Sequence, residues 1–115
     1  MIKVALCQMD TARLPDENIA LIASMTAEAA QNGADVVVFP EDSYYVDAPR
    51  EHGESPEALD GHFVTEMRAI AKKNHVNLIP GSFERLAESG KYYNTSLFIN
   101  RDGNIIGQYD NCLLY

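Results

Sequence analysis

Val36-Val37-Val38-Phe39-Pro40-Glu41 is the stretch from which the fold can be read. Three β-branched residues and a Phe make a short apolar run, the pattern of a strand buried on both faces. Pro40 ends it, because proline has no N–H for a neighbouring strand and holds Phe39 extended. Glu41 follows at once, so a carboxylate is delivered at the tip of a rigid element. Strand tips on α/β scaffolds commonly present catalytic groups, held by the sheet yet open to a crevice. Glutamates after strands also commonly start solvated loops, and the hexapeptide alone favours that plainer reading.

Upstream, residues 2–9 read as a first strand with Val4, Leu6 and Cys7 in the core. Pro15-Asp16-Glu17 opens a helix with acidic residues at its positive end. Ile19, Ile22, Ala23, Thr26 and Ala30 recur at helical spacing, and Asn32-Gly33 supplies a left-handed stop. A helix between two strands is a βαβ crossover, which joins parallel strands of one sheet.

Downstream, residues 42–61 lose all periodicity. A loop this long in a small domain is usually functional or mobile. It follows Glu41 directly and forms a candidate wall of a site, with Tyr44 or Tyr45 as substrate-lining candidates, although simple packing with the hydroxyl in water is the favoured reading of both tyrosines. Phe63, Met67, Ile70 and Ala71 mark a second amphipathic helix ending near Lys72-Lys73-Asn74, and residues 76–79 a third strand closed by Pro80-Gly81-Ser82. Residues 84–91 are polar and read as a loop. Thr95-Ser96-Leu97-Phe98-Ile99, a turn at Arg101-Asp102-Gly103-Asn104, and a return over residues 105–109 form the clearest hairpin.

The 115 residues suffice for one domain, taken as residues 1–115, and the 46% hydrophobic content is that of a globular chain. Nine basic against seventeen acidic residues leave a net charge of −8, which disfavours nucleic acid and anionic membranes as partners. The first apolar run is too short for a secretory signal, and no stretch reaches membrane-spanning length. Cys7 and Cys112 are far apart with no metal-ligand spacing, and read as reduced thiols of a cytoplasmic protein. Cys7 is better read as a small core hydrophobe than as a nucleophile. His52, His62 and His75 share no ligand spacing and read as surface residues, and no nucleotide-binding glycine loop occurs.

Taken together, Asn18, Gly33-Ala34-Asp35-Val36-Val37-Val38-Phe39-Pro40-Glu41, Pro80-Gly81-Ser82 with Glu84, Tyr93-Asn94-Thr95 and Gly103-Asn104-Ile105-Ile106-Gly107-Gln108-Tyr109-Asp110 resemble the carbon–nitrogen hydrolase (nitrilase/amidase) family. The motifs run through nearly the whole chain in the family's order. The resemblance implies an α/β fold, the N-terminal half of an α-β-β-α sandwich, and assembly as homodimers or larger homo-oligomers. It implies hydrolysis of non-peptide C–N bonds in small-molecule amides, nitriles or carbamoyl compounds, by a glutamate, a lysine and a cysteine, with no cofactor and no metal. The glutamate falls on Glu41 as general base. A thiol attacking an amide or nitrile carbon needs such a base to become a thiolate, and a nearby cation stabilises the anion that forms.

Two departures follow from the same resemblance. The family's lysine position is occupied by Asn111, which donates a hydrogen bond but brings no charge, and Leu113 stands where a histidine is usual. The nucleophilic cysteine lies beyond residue 115, and Cys112 sits beside the lysine position rather than at the nucleophile's. The expectation is therefore a hydrolase by family whose 115-residue chain alone is inactive. The alternative is a truncated or degenerate relative acting as a binding or assembly partner.

Overall fold

The computed structural model describes residues 1–10, 14–41, 43–44 and 58–112. Among the described residues there are six strands and two helices, the helices interleaved with the first three strands. β1 (Val4–Leu6), α1 (Pro15–Gln31), β2 (Val36–Val38), α2 (His62–Asn74) and β3 (Asn77–Ile79) make two successive crossovers. β1 pairs in parallel with β2, and β2 with β3. The chain then turns antiparallel: β4 (Ser82–Leu86), β5 (Tyr92–Ile99) and β6 (Ile105–Cys112) follow as a meander. β5 is the hub of that half, bonded to β3, β4 and β6. The third strand therefore neighbours the second, with β2 separating it from β1.

Local chemistry accounts for the helix ends. Pro15 occupies the first turn of α1, where its missing N–H costs nothing, and Asp16 and Glu17 lie beside the free N–H groups. Gly33, at φ +84°, takes the left-handed turn that follows the helix. Lys72 and Lys73 sit in the last turn of α2, and His75 caps it in the left-handed region at φ 53°.

The core lies between the helices and one face of the sheet. Ile19 and Ile22 of α1 and Phe63, Val64, Met67, Ile70 and Ala71 of α2 pack with Val37, Leu78, Phe83, Leu97 and Ile99 from the strands. Side chains alternate along a strand, so this face takes every second residue and its neighbours face away. Val36 and Val38 accordingly remain half-buried while Val37 is sealed. The expectation of a β2 buried on both faces is thus met on one face only. The first strand shows the same effect more strongly. Val4 is 50% and Leu6 80% exposed, whereas Ala5 and Cys7 turn toward the helices. Placing Val4 and Leu6 in the core put the wrong set of alternate residues inside, since among the described residues no layer covers the second sheet face.

Two other expectations change. Residues 84–91 are not all loop: β4 runs to Leu86 and pairs with β5 from Ser82↔Ser96 to Leu86↔Tyr92. As an edge strand it carries Glu84 and Arg85 at little cost, and that polarity disguises it. The β5–β6 connection is a hairpin, but Asp102-Gly103 is not its two-residue turn. Only Gly103 has positive φ, and the Asn100 side chain accepts the N–H groups of Asp102 and Asn104. An Asx-type cap on a longer loop replaces the mirror-image turn.

The face assignment is testable by paired substitutions. Phe63 is fully buried, stacked on Tyr44 and tilted against Phe83. Phe63→Ala is expected to cost about 3–5 kcal/mol in urea unfolding. Leu6→Ser is expected to change stability by less than about 0.5 kcal/mol. A large loss at Leu6 would contradict the open face.

Candidate active site

Glu41 stands where the sequence places it, in the turn that leaves β2. That turn is fixed by contacts with the exit of β3. Gly81, at φ +87°, lies so close to the carbonyl of Pro40 that an added Cβ would come within 1.9 Å of the oxygen. No other residue fits that approach. Ser43 is buried, its Oγ donating to the carbonyl of Pro80 and its N–H to that of Ser82 at 3.2 Å. The Pro-Gly-Ser triplet therefore does more than close β3, because it clamps the segment that bears Glu41.

Asn18 closes the same segment from the helix side. It is fully buried on α1 and donates from Nδ2 to the carbonyl of Tyr44 at 2.9 Å. Tyr44 itself is buried, with its ring stacked on Phe63 at 4.5 Å between centroids. Tyr45, the companion candidate, and His52 lie outside the described residues, as do the side chain of Cys112 and the whole of Leu113. His62 and His75 are exposed and separate, with His62 beside Asp16 at 3.1 Å.

The carboxylate of Glu41 is exposed and is met from across the sheet. Nδ2 of Asn94, on β5, donates to its Oε1 at 2.8 Å. Asn94 pairs across β5–β4 with Glu84 and across β5–β6 with Asn111. Directly opposed residues of antiparallel strands share a face. Glu41, Glu84, Asn94 and Asn111 thus gather at one end of the open sheet face. Glu41 and Asn111, 70 residues apart in sequence, are linked through Asn94, which bonds the first and pairs across the sheet with the second.

A second polar group occupies the opposite face, and sequence reasoning assigned it no role. Thr95 is fully buried; its Oγ1 donates to Oδ1 of Asp110 at 2.6 Å and accepts from Nε of Arg85 at 3.1 Å. Arg85 also reaches Oδ2 of Asp110 at 3.1 Å and lies over the Tyr93 ring. Burial opposes ionisation of Asp110, but hydrogen bonds from Thr95, Gln108 and Arg85 and the guanidinium charge outweigh it, holding the carboxyl below its usual range. The available signal was the adjacent polar pair Asn94-Thr95 in a strand, whose two members must face opposite ways.

Cys7 is removed from this centre. It lines a cavity of about 300 Å³ between β1 and α1, with Met25, Glu28 and Ala29. Burial first, and then the negative charge of Glu28, push its thiol above the ordinary range. That is the setting of an inert thiol. Among the described residues no group of His, Cys, Asp or Glu is arranged to hold a metal ion, and no helix is long and apolar enough to cross a membrane.

A parallel βαβαβ sheet with an acid just past its second strand, reached by a polar residue of an antiparallel meander, defines an α/β fold with a polar group at a strand tip. Comparison with known proteins gives the family. The model of the carbon-nitrogen hydrolase family matches residues 3–114, and the chain belongs to that family. It is 27% identical over 113 residues to omega-amidase NIT2 of Homo sapiens, covering 98% of this chain and 41% of that protein. Citrullinase of Francisella tularensis is 31% identical over 119 residues, covering 94% of this chain and 39% of its own length. Among solved structures, Saccharomyces cerevisiae Nit3, a member of the nitrilase superfamily, superposes with a TM-score of 0.80 at 26% identity, over 95% of this chain and 43% of Nit3. The chain thus spans about two fifths of the relatives it matches, and its sheet and helices are part of the nitrilase fold.

The Asp110 cluster generates a pH prediction. Its lowered carboxyl contributes stability that is fully present above the ordinary aspartate range and is lost as pH falls through the folded-state value. Asp110→Asn is therefore expected to destabilise the chain at pH 7. The gap between variant and parent in urea unfolding should narrow as the pH is lowered through the carboxylate range. A gap that stays constant with pH would remove the charge from the explanation.

Proposed function

We propose that this chain forms the base-bearing part of a carbon–nitrogen hydrolase site, with Glu41 as general base toward small-molecule amides, nitriles or carbamoyl compounds. The observation that carries the reading is the convergence of Glu41, Asn94 and Asn111 on one end of the open sheet face. Similarity to an omega-amidase and a citrullinase supports amide and carbamoyl chemistry ahead of nitriles.

In this reading Glu41 takes the proton of a thiol supplied from outside the described residues, and the thiolate adds to the amide carbon. Collapse of the tetrahedral anion expels the amine, which leaves carrying the proton from Glu41. Water, deprotonated in turn by Glu41, then cleaves the thioester and regenerates the thiol. The anion requires stabilisation by nearby donors, each worth about a hundredfold or more in rate. Asn111 offers an N–H there without a charge.

A second reading, a non-catalytic relative that acts as an assembly partner, is favoured by that neutral residue and by the elevated thiol of Cys7. The two readings agree on the isolated polypeptide, which among the described residues brings a base without an activated thiol. Its unpaired Cys7 supports a reducing, cytoplasmic setting.

Purified 115-residue chain is expected to release no ammonia from small amides above a heat-treated control. Ammonia release that disappears in Glu41→Gln would overturn this and place the whole reaction within these residues. The open face also bears on assembly: Ile2, Val4, Leu6 and Tyr109 are 72%, 50%, 80% and 66% exposed. Apolar surface of this kind favours self-association as a homo-oligomer. Sedimentation at micromolar concentration is expected to show dimers or larger species, and a clean monomer would count against the proposal.

A further inference from the structure

We propose that Asn94 is a positioning residue for Glu41, oriented by the carboxylate at the expense of its own hydrogen bonding. The inference rests on the reading of Glu41 as the base. Only one end of the Asn94 carboxamide is satisfied. Nδ2 donates to Glu41 Oε1 at 2.8 Å, while Oδ1 is buried and has no partner among the described residues. A rotation of the amide by half a turn would direct Oδ1 at the carboxylate, placing two acceptors face to face, so the presence of Glu41 fixes which way the group points. A buried acceptor without a donor is destabilising, and native chains carry few of them. The residue is therefore poorly suited to its place by packing and well suited by its contact with Glu41.

The surroundings leave few other ways to hold that acid. Glu41 is exposed in a turn, and no cation is paired with it among the described residues. Glu84 and Asn111 flank Asn94 on the neighbouring strands, whereas Arg85 is engaged with Asp110 and Thr95 on the far face. Asn94 orients the carboxylate through a neutral donor on a strand bonded to three others, so the base is tied to the stiffest part of the sheet. One carboxylate oxygen is thereby engaged and the other stays available for a proton.

The experiment follows the Asn94 side-chain NH₂ resonances of the 115-residue chain by NMR as pH is lowered until carboxylates are neutral. They are expected to move as Glu41 takes up its proton, and the movement should vanish in Glu41→Gln. The other carboxyl groups, Glu84 and Asp110 among them, are present in both proteins, so the difference isolates Glu41. In parallel, Asn94→Leu removes the unpartnered acceptor and keeps the branched shape of the side chain. Its melting temperature is expected to equal or exceed that of the parent, an outcome that a structural asparagine would not give. Resonances that ignore Glu41, or a melting temperature lowered as by a core substitution, would overturn the assignment. Neither readout needs turnover, so the two failures are distinguishable: an intact pair beside a catalytically silent Glu41 would defeat the functional reading, whereas resonances that ignore Glu41 would defeat this inference alone.

Discussion

The arrangement of the site depends on a backbone contact with no room for a side chain. Pro40 ends β2 and Gly81 follows β3, and the carbonyl of the first occupies the space where the second would carry a Cβ. Because β2 and β3 are parallel, their ends emerge side by side, and this contact joins the segments that leave them. Ser43 adds its two hydrogen bonds to Pro80 and Ser82, and Asn18 reaches Tyr44 from α1. Two distant motifs, Asn18 and Pro80-Gly81-Ser82, thus act on one turn. Their shared effect is to carry the rigidity of the sheet one residue past Pro40, where the carboxylate stands.

The meander completes the arrangement by dividing its polar residues between two faces. Thr95 and Asn94 are neighbours in β5, so alternation sends them to opposite sides. On the helix side Thr95 meets Arg85 and Asp110, a compact group in which charge and hydrogen bonds hold the acid ionised. On the open side Asn94 meets Glu41 without a charged partner. The first acid is committed to its ion pair and contributes to stability. The second is oriented but not neutralised, the condition in which a carboxylate remains free to exchange a proton.

Much of this was legible in the sequence, for identifiable reasons. Pro15, Gly33 and the spacing of Ile19, Ile22, Phe63 and Met67 are local signals, and they located both helices and the parallel crossovers. Pro40 after a β-branched run located Glu41. The signals that failed are those that depend on neighbours. Apolar Val4 and Leu6 look like core residues until the register shows that Ala5 and Cys7 face the helices. Glu84 and Arg85 look like loop until β5 is beside them. Asn94 belonged to a recognised motif, yet its partner lies 53 residues away, and no periodicity reports a contact between a strand and a distant turn.

Asn111 is where the two faces bear most directly on chemistry. Residue 111 pairs with Asn94 and residue 110 with Thr95, so consecutive positions of β6 serve opposite sides of the sheet. A cation at position 111 would share the open face with Glu41, separated by the sheet from the Arg85–Asp110 pair. The cross-strand row of Glu84, Asn94 and Asn111 itself contains no lysine or arginine. Among the described residues, then, the orientation of Glu41 falls to the hydrogen bond from Asn94, and the unpartnered oxygen of Asn94 is the local consequence. A donor with one short bond to make must face the acid, and with only an amide to offer it must turn its own acceptor inward.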